Sequence, residues 1–125
     1  MNKKNILITV GLVILVVGLI VFMWYLAQPK SISADVEKLS LCLKEKNAMM
    51  YGTYWCPHCL NQKKAFGASF KNISYVECTE KEKECTAAGV VGYPTWIFSD
   101  GTELSGEQSL KALADKAGCP FPIKN

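Results

Sequence analysis

The sequence predicts a small α/β domain carried behind a single membrane-spanning helix. Three observations lead there: an uncharged run over residues 6–27, a Cys-Pro-His-Cys motif between a β-like apolar stretch and a helical pattern, and an Asp-Gly turn between two short apolar stretches. The 125 residues allow one domain of about 90 residues plus an appendage. The net charge of +3, with no lysine-rich patch interleaved with aromatics, excludes a nucleic-acid-binding role. Six cysteines in so small a domain point to an oxidising compartment.

The appendage comes first. Residues 1–5 form a short N-terminus and 6–27 the span, about 33 Å of helix at ~1.5 Å per residue, which matches a hydrocarbon core. Residues 28–32 form a polar linker with Pro29, and 33–125 the domain itself. Trp24, Tyr25 and Leu26 stand where a cleavable signal peptide needs small residues, so the helix is expected to stay as a signal anchor. No cysteine precedes Cys42, which excludes a lipoprotein anchor. Lys3 and Lys4 before the helix put the N-terminus in the cytoplasm and the domain outside the cell membrane, in the periplasm or at the cell exterior.

Within the domain, Ser33 is a candidate N-cap for a helix over residues 33–46, with Asp35 and Glu37 in its first turn and Val36, Leu39, Leu41 and Leu43 at partly helical spacing. Residues 48–54 read as a buried strand. A helix follows over 56–70, with Leu60, Phe66 and Phe70 as core candidates and Lys63 and Lys64 on a solvated face. Residues 73–78 read as a second strand and 79–88 as a short charged connection. Residues 95–99 and 102–104 flank Asp100-Gly101, a type I′ hairpin signal. A last helix over 107–117 turns Leu110 and Leu113 inward and ends at Gly118.

The chemistry converges on Cys56 and Cys59. Disulfide exchange needs one sulfur that is a thiolate near neutral pH, and a helix N-terminus supplies partial positive charge and free N–H donors. Pro57 presets φ for the first turn, so Cys56 is expected at the exposed end as the attacking sulfur and Cys59 one turn inward as the resolving one. His58, the single histidine, adds a cationic or hydrogen-bonding group. Stabilising the reduced dithiol makes a pair an oxidant. The spacing of Cys56, Cys59, Cys78 and Cys85 departs from a zinc ribbon in its second pair, so no metal is expected. Tyr54 and Trp55 flank Cys56 as a shallow apolar surface for substrate, whereas Tyr51 and Trp96 read as core.

The run Tyr51-Gly52-Thr53-Tyr54-Trp55-Cys56-Pro57-His58-Cys59, then Tyr75-Val76-Glu77-Cys78, Glu84-Cys85 and Gly92-Tyr93-Pro94-Thr95-Trp96, resembles the thioredoxin superfamily. It is most similar to the thioredoxin-like domain fused to bacterial vitamin K epoxide reductase homologues, and its CPHC matches that of the periplasmic oxidant DsbA. The resemblance covers residues 39–120 or so and implies a central mixed sheet flanked by helices. It implies a cis proline at Pro94, with Tyr93 and Pro94 contacting a substrate strand beside Trp55. The four non-catalytic cysteines allow three pairings; the resemblance implies Cys78–Cys85, which leaves Cys42 with Cys119. Many thioredoxin-like proteins carry an acidic residue six positions before the first cysteine, and here that position is Met50. The departure favours oxidation over reduction.

The expected activity is therefore a membrane-anchored thiol-disulfide oxidoreductase that holds no cofactor. It would oxidise substrate proteins and be reoxidised by a quinone-linked membrane oxidase of the vitamin K epoxide reductase or DsbB type. A membrane-tethered reductase or isomerase, as in cytochrome c maturation, is the alternative within redox chemistry. A non-catalytic metal-binding module using Cys56, Cys59 and His58 is the alternative outside it.

Overall fold

The computed structural model describes residues 2–27 and 32–121. The chain divides into two compact units, 1–30 and 31–125. The expected linker at 28–32 falls almost wholly outside the described residues.

The first unit is α1 (Lys3–Leu26), apolar on every side. Its 24 residues make it long and apolar enough to cross a membrane, a length and composition that anchors share with signal sequences. Its one hydroxyl between Ile6 and Ala27 outside the aromatic end, that of Thr9, donates back to the carbonyls of Asn5 and Ile6 at 3.0 and 2.9 Å. That polar group is satisfied within the helix itself.

The second unit runs α2 (Ile32–Glu45), β1 (Met49–Gly52), α3 (Pro57–Phe66), a 3₁₀ segment (Gly67–Asn72), β2 (Ser74–Glu77), α4 (Glu82–Ala87), β3 (Thr95–Ile97), β4 (Glu103–Ser105) and α5 (Leu110–Ala117). The four strands form one sheet in the order β2-β1-β3-β4. β1 is parallel to β2 and antiparallel to β3, so the sheet is mixed. This is the mixed α/β sheet flanked by helices that the sequence leads one to expect.

In register, Met50 faces Tyr75 and Trp96, and Trp96 faces Leu104. These lie on one face of the sheet, where Leu39 and Leu43 of α2, Phe66 of α3 and Leu113 of α5 complete the larger core. Each fully buried large side chain there contributes about 1.5–3 kcal/mol over its exposed state. On the opposite face, Tyr51 and Val76 pack with Cys78 and Cys85. Cys42 is bonded to Cys119, joining α2 to the end of α5, and Cys78 to Cys85, clipping the end of β2 to α4.

Several boundaries differ from the sequence reading. α2 already begins at Ile32, so Ser33 lies in its first turn rather than capping it. α3 stops at Phe66 because Gly67 takes φ +55°, and the chain continues as 3₁₀. Leu60 is exposed and Gln62 is buried in its place: the Gln62 amide accepts from Gln108 N at 2.7 Å and from Trp96 Nε1 at 3.4 Å, and donates to Gln108 O at 3.0 Å. Leu41 is exposed as well. The hairpin is not type I′, since Asp100 keeps a negative φ and only Gly101 is positive. Instead Gly101 N donates to Phe98 O, and the Asp100 carboxylate accepts from Thr102 N and Oγ1. α5 starts three residues later than expected, because Ser109 Oγ accepts from Ala112 N as its cap. That leaves Glu107 in the loop before it.

Candidate active site

The site is built where β1 turns into α3. Cys56 occupies the N-cap position with extended backbone, and Pro57 sits at N1, where its missing N–H costs no hydrogen bond. The N–H of Cys59 donates to Cys56 Sγ at 3.4 Å. One N–H donor and the positive end of α3 therefore face the first sulfur.

Both thiols are free and both are buried. Cys59 is fully covered, as expected, but Cys56 is only 5% exposed, which corrects the expectation of an open sulfur. The covering group is the loop before β3: Cys56 S–H donates to the Tyr93 carbonyl at 3.6 Å, and the Tyr93–Pro94 peptide is cis. Trp55 lies edge-on to the Tyr93 ring, centroids 6.2 Å apart and planes at 88°. Trp55 and Tyr54 are exposed, so an apolar rim adjoins Cys56 in the chain. The structure thus brings Cys56, Cys59, Pro57, Trp55 and Tyr93 together, with the buried Pro94 joined to Tyr93.

His58 is on the outer face of α3, exposed, with Nδ1 3.1 Å from Glu107 Oε2. Asn61 Nδ2 donates to the same oxygen at 3.3 Å. Among the described residues, no group of three or more His, Cys, Asp or Glu side chains comes together as a metal site.

Burial pushes the Cys59 thiol up to about 12, and its hydrogen-bonded partner Cys56 pushes the same way. The Thr53 backbone N–H and the Lys63 ammonium oppose this and are outweighed. At neutral pH the inner sulfur is therefore a thiol. Met50 is fully buried in β1, so apolar packing occupies the position where many thioredoxin-like proteins hold an acid.

Sequence reasoning passed over Gly52, Tyr75, Glu77 and Lys63. A Cβ at Gly52 would meet Cys59 Sγ at 2.9 Å, Tyr75 Cε2 at 3.2 Å and Tyr75 Oη at 3.4 Å. The thiol and the phenol therefore border the space that a side chain would take. Tyr75 Oη donates to Glu77 Oε2 at 2.7 Å. Lys63, expected on a solvated face, places its ammonium 4.0 Å from the centre of the Tyr75 ring. Strand alternation puts Tyr75 and Glu77 on one face, a signal present in the sequence, but the register that brings that face to Cys59 is tertiary. Thr53 Oγ1 is buried without a hydrogen-bond partner among the described residues.

The sheet order and a dithiol at the N-terminus of the helix after β1 agree with the thioredoxin-like fold that the sequence resemblance implies. No protein-family model matches the chain. It is similar to the thiol-disulfide oxidoreductase LTO1 of Arabidopsis thaliana, 44% identical over 85 residues that cover 61% of this chain and 22% of that protein. It is also similar to the protein disulfide isomerase-like 2-2 and 2-1 proteins of Oryza sativa subsp. japonica, 36% and 35% identical over 74 residues, 49% of this chain and 20% of each relative. The chain thus spans about a fifth of the length of these curated relatives. They support a thioredoxin-like superfamily and thiol-disulfide oxidoreductase chemistry for the matched region.

Proposed function

We propose that the chain is a membrane-anchored thiol-disulfide oxidoreductase that oxidises protein thiols outside the cytoplasm through Cys56 and Cys59. The observation that carries this reading is the placement of Cys56 Sγ at the α3 N-terminus, against the backbone carbonyl of Tyr93 next to Pro94. A reacting sulfur beside an extended backbone and an apolar rim suits a peptide that lies down as an added strand. Tyr93, Pro94 and Trp55 are the substrate-contact residues in this reading, and His58 stands beside Glu107 between the two cysteines of the motif.

In the oxidised protein a substrate thiolate attacks Cys56 Sγ, the Cys56–Cys59 bond breaks, and Cys59 leaves with the electron pair and takes up a proton. The second substrate thiolate then attacks the substrate sulfur of the mixed disulfide, and Cys56 leaves as a thiolate. The substrate has lost two electrons and the dithiol has gained them. Reoxidation falls to a quinone-linked membrane oxidase of the vitamin K epoxide reductase or DsbB type, reached from the bilayer surface because α1 anchors the domain there. Lys3 and Lys4, the first two residues of α1, orient its N-terminus to the cytoplasm. Cys42–Cys119 and Cys78–Cys85 are structural in this account.

The test is the reduction potential of the full chain in detergent, equilibrated with glutathione and read by alkylation of Cys56 and Cys59. A value above about −180 mV supports the oxidant, and one below about −220 mV refutes that direction. A Cys59→Ala variant is expected to accumulate mixed disulfides through Cys56, with the membrane oxidase among the adducts. The isomerase-like relatives favour a second reading, in which the same dithiol rearranges substrate disulfides.

A further inference from the structure

We propose that Tyr75 and Glu77 form the proton path of the Cys59 thiol, the task that Met50 leaves vacant. This rests on the dithiol function proposed above. When Cys59 closes onto a mixed disulfide at Cys56 it must lose a proton, and its fully buried sulfur has no direct route to solvent.

The geometry supplies an acceptor. β1 and β2 run parallel with Met50 opposite Tyr75 and Gly52 opposite Glu77, so Tyr75 and Glu77 reach the face of the sheet that α3 covers. The missing side chain at Gly52 leaves a space that the Tyr75 hydroxyl and Cys59 Sγ both border. Beyond the phenol, Glu77 Oε2 accepts from Tyr75 Oη, while Oε1 accepts from Tyr54 N at 3.2 Å, Thr79 N at 3.4 Å and Thr79 Oγ1 at 2.7 Å. Burial tends to raise the Glu77 pKa, but these hydrogen bonds outweigh it and hold the group as a carboxylate. β2 is an edge strand and Glu77 is half-buried, which opens the far end of the path to water. The charged and titratable groups facing Cys59 are Cys56 and Lys63 on α3 and Tyr75 on β2; Lys63 also sits over the Tyr75 ring.

The step balances. The Cys59 S–H proton passes to Tyr75 Oη as the Tyr75 hydroxyl proton passes to Glu77 Oε2. Cys59 Sγ bonds to Cys56 Sγ, the bond from Cys56 to the substrate sulfur breaks, and the electron pair leaves on that sulfur. The dithiol is oxidised and the substrate disulfide reduced. In the opposite direction the same path returns a proton to Cys59 as it leaves. Tyr75 is the group that borders the reacting sulfur at the Gly52 space, and Glu77 acts through Tyr75.

The test reacts the reduced full chain, in detergent, with oxidised glutathione and follows the Cys56–glutathione adduct by quenched-flow mass spectrometry across pH 6–9, a range set by ordinary thiol titration. Tyr75→Phe and Glu77→Gln are expected to form the adduct at the wild-type rate but to clear it at least about a hundredfold more slowly, the lower reach of lost general-base catalysis. Clearance in the variants should climb steeply with pH as hydroxide replaces the internal base, against a shallower wild-type profile. Wild-type clearance rates and pH profiles in both variants overturn the proposal. A wild-type protein that never forms or clears the adduct instead overturns the dithiol reading itself. Should Glu77→Gln slow adduct formation by disturbing the Tyr54–Thr79 turn, Tyr75→Phe, which keeps the ring beneath Lys63, decides alone.

Discussion

Removing the Cys42–Cys119 bond by the double substitution Cys42→Ala, Cys119→Ala perturbs the domain where its sequence ends are tied. The bond closes a loop with a sequence separation of 77, against 7 for Cys78–Cys85. Loop-closure entropy makes the first bond worth about 4.5 kcal/mol and the second about 2.4 kcal/mol at 25 °C. For a domain of this size those losses lower Tm by roughly 20–35 °C and 10–20 °C. The assay is thermal melting of the full chain in detergent by near-ultraviolet circular dichroism, which reports on the fully buried Trp96 and not on helix content. A Cys78→Ala, Cys85→Ala variant that melts at or below the temperature of the Cys42–Cys119 variant refutes the argument. At 20 °C the Cys42–Cys119 variant should still oxidise a dithiol peptide. Loss of that turnover in a folded protein would instead make the pair an electron relay.

Three other outcomes are expected. Gln62→Leu leaves Gln108 N–H and C=O without their partner and should cost about 1–3 kcal/mol in urea denaturation, although leucine is the more apolar residue. The Glu37 carboxyl is held below its ordinary value by hydrogen bonds from Ser69 and Asn72, outweighing burial. A depressed acid stabilises the fold above its unfolded pKa, so that contribution fades as pH falls below about 4.5, and Glu37→Gln should flatten the acid limb of the stability curve. Leu15→Arg places a charge near the middle of α1, at about 2.5–3.5 kcal/mol against insertion. If α1 anchors the protein, alkaline carbonate should extract more of this variant from membranes than of wild type; equal extraction argues against the anchor.

What could be read without the fold was what depends on spacing and composition. The apolar span is a matter of length and the absence of charge. The α/β class follows from local periods, and the placement of Cys56 and Cys59 follows from a helix starting at Pro57, since a turn of helix carries one sulfur inward whatever else surrounds it. Pattern failed where a neighbour decided the outcome. Leu60 reads as core, but the spacing of a short helix does not reveal which side meets Trp96, and Gln62 takes that place because two backbone groups of Gln108 await it. Asp100-Gly101 reads as type I′, yet the Asp100 carboxylate satisfies Thr102 and Lys116 from a turn with negative φ at Asp100.

Cys56 reads as open because the motif cannot announce the Tyr93 loop folded over it. Gly52, Tyr75 and Glu77 belong to the site only through strand register, a relation between residues 23 to 25 positions apart in the chain. Local chemistry therefore determined which two cysteines share the start of one helix. Tertiary packing decided what covers the outer one and which groups lie within reach of the inner one's proton, because burial and contact across a sheet are properties of residues that are distant in sequence.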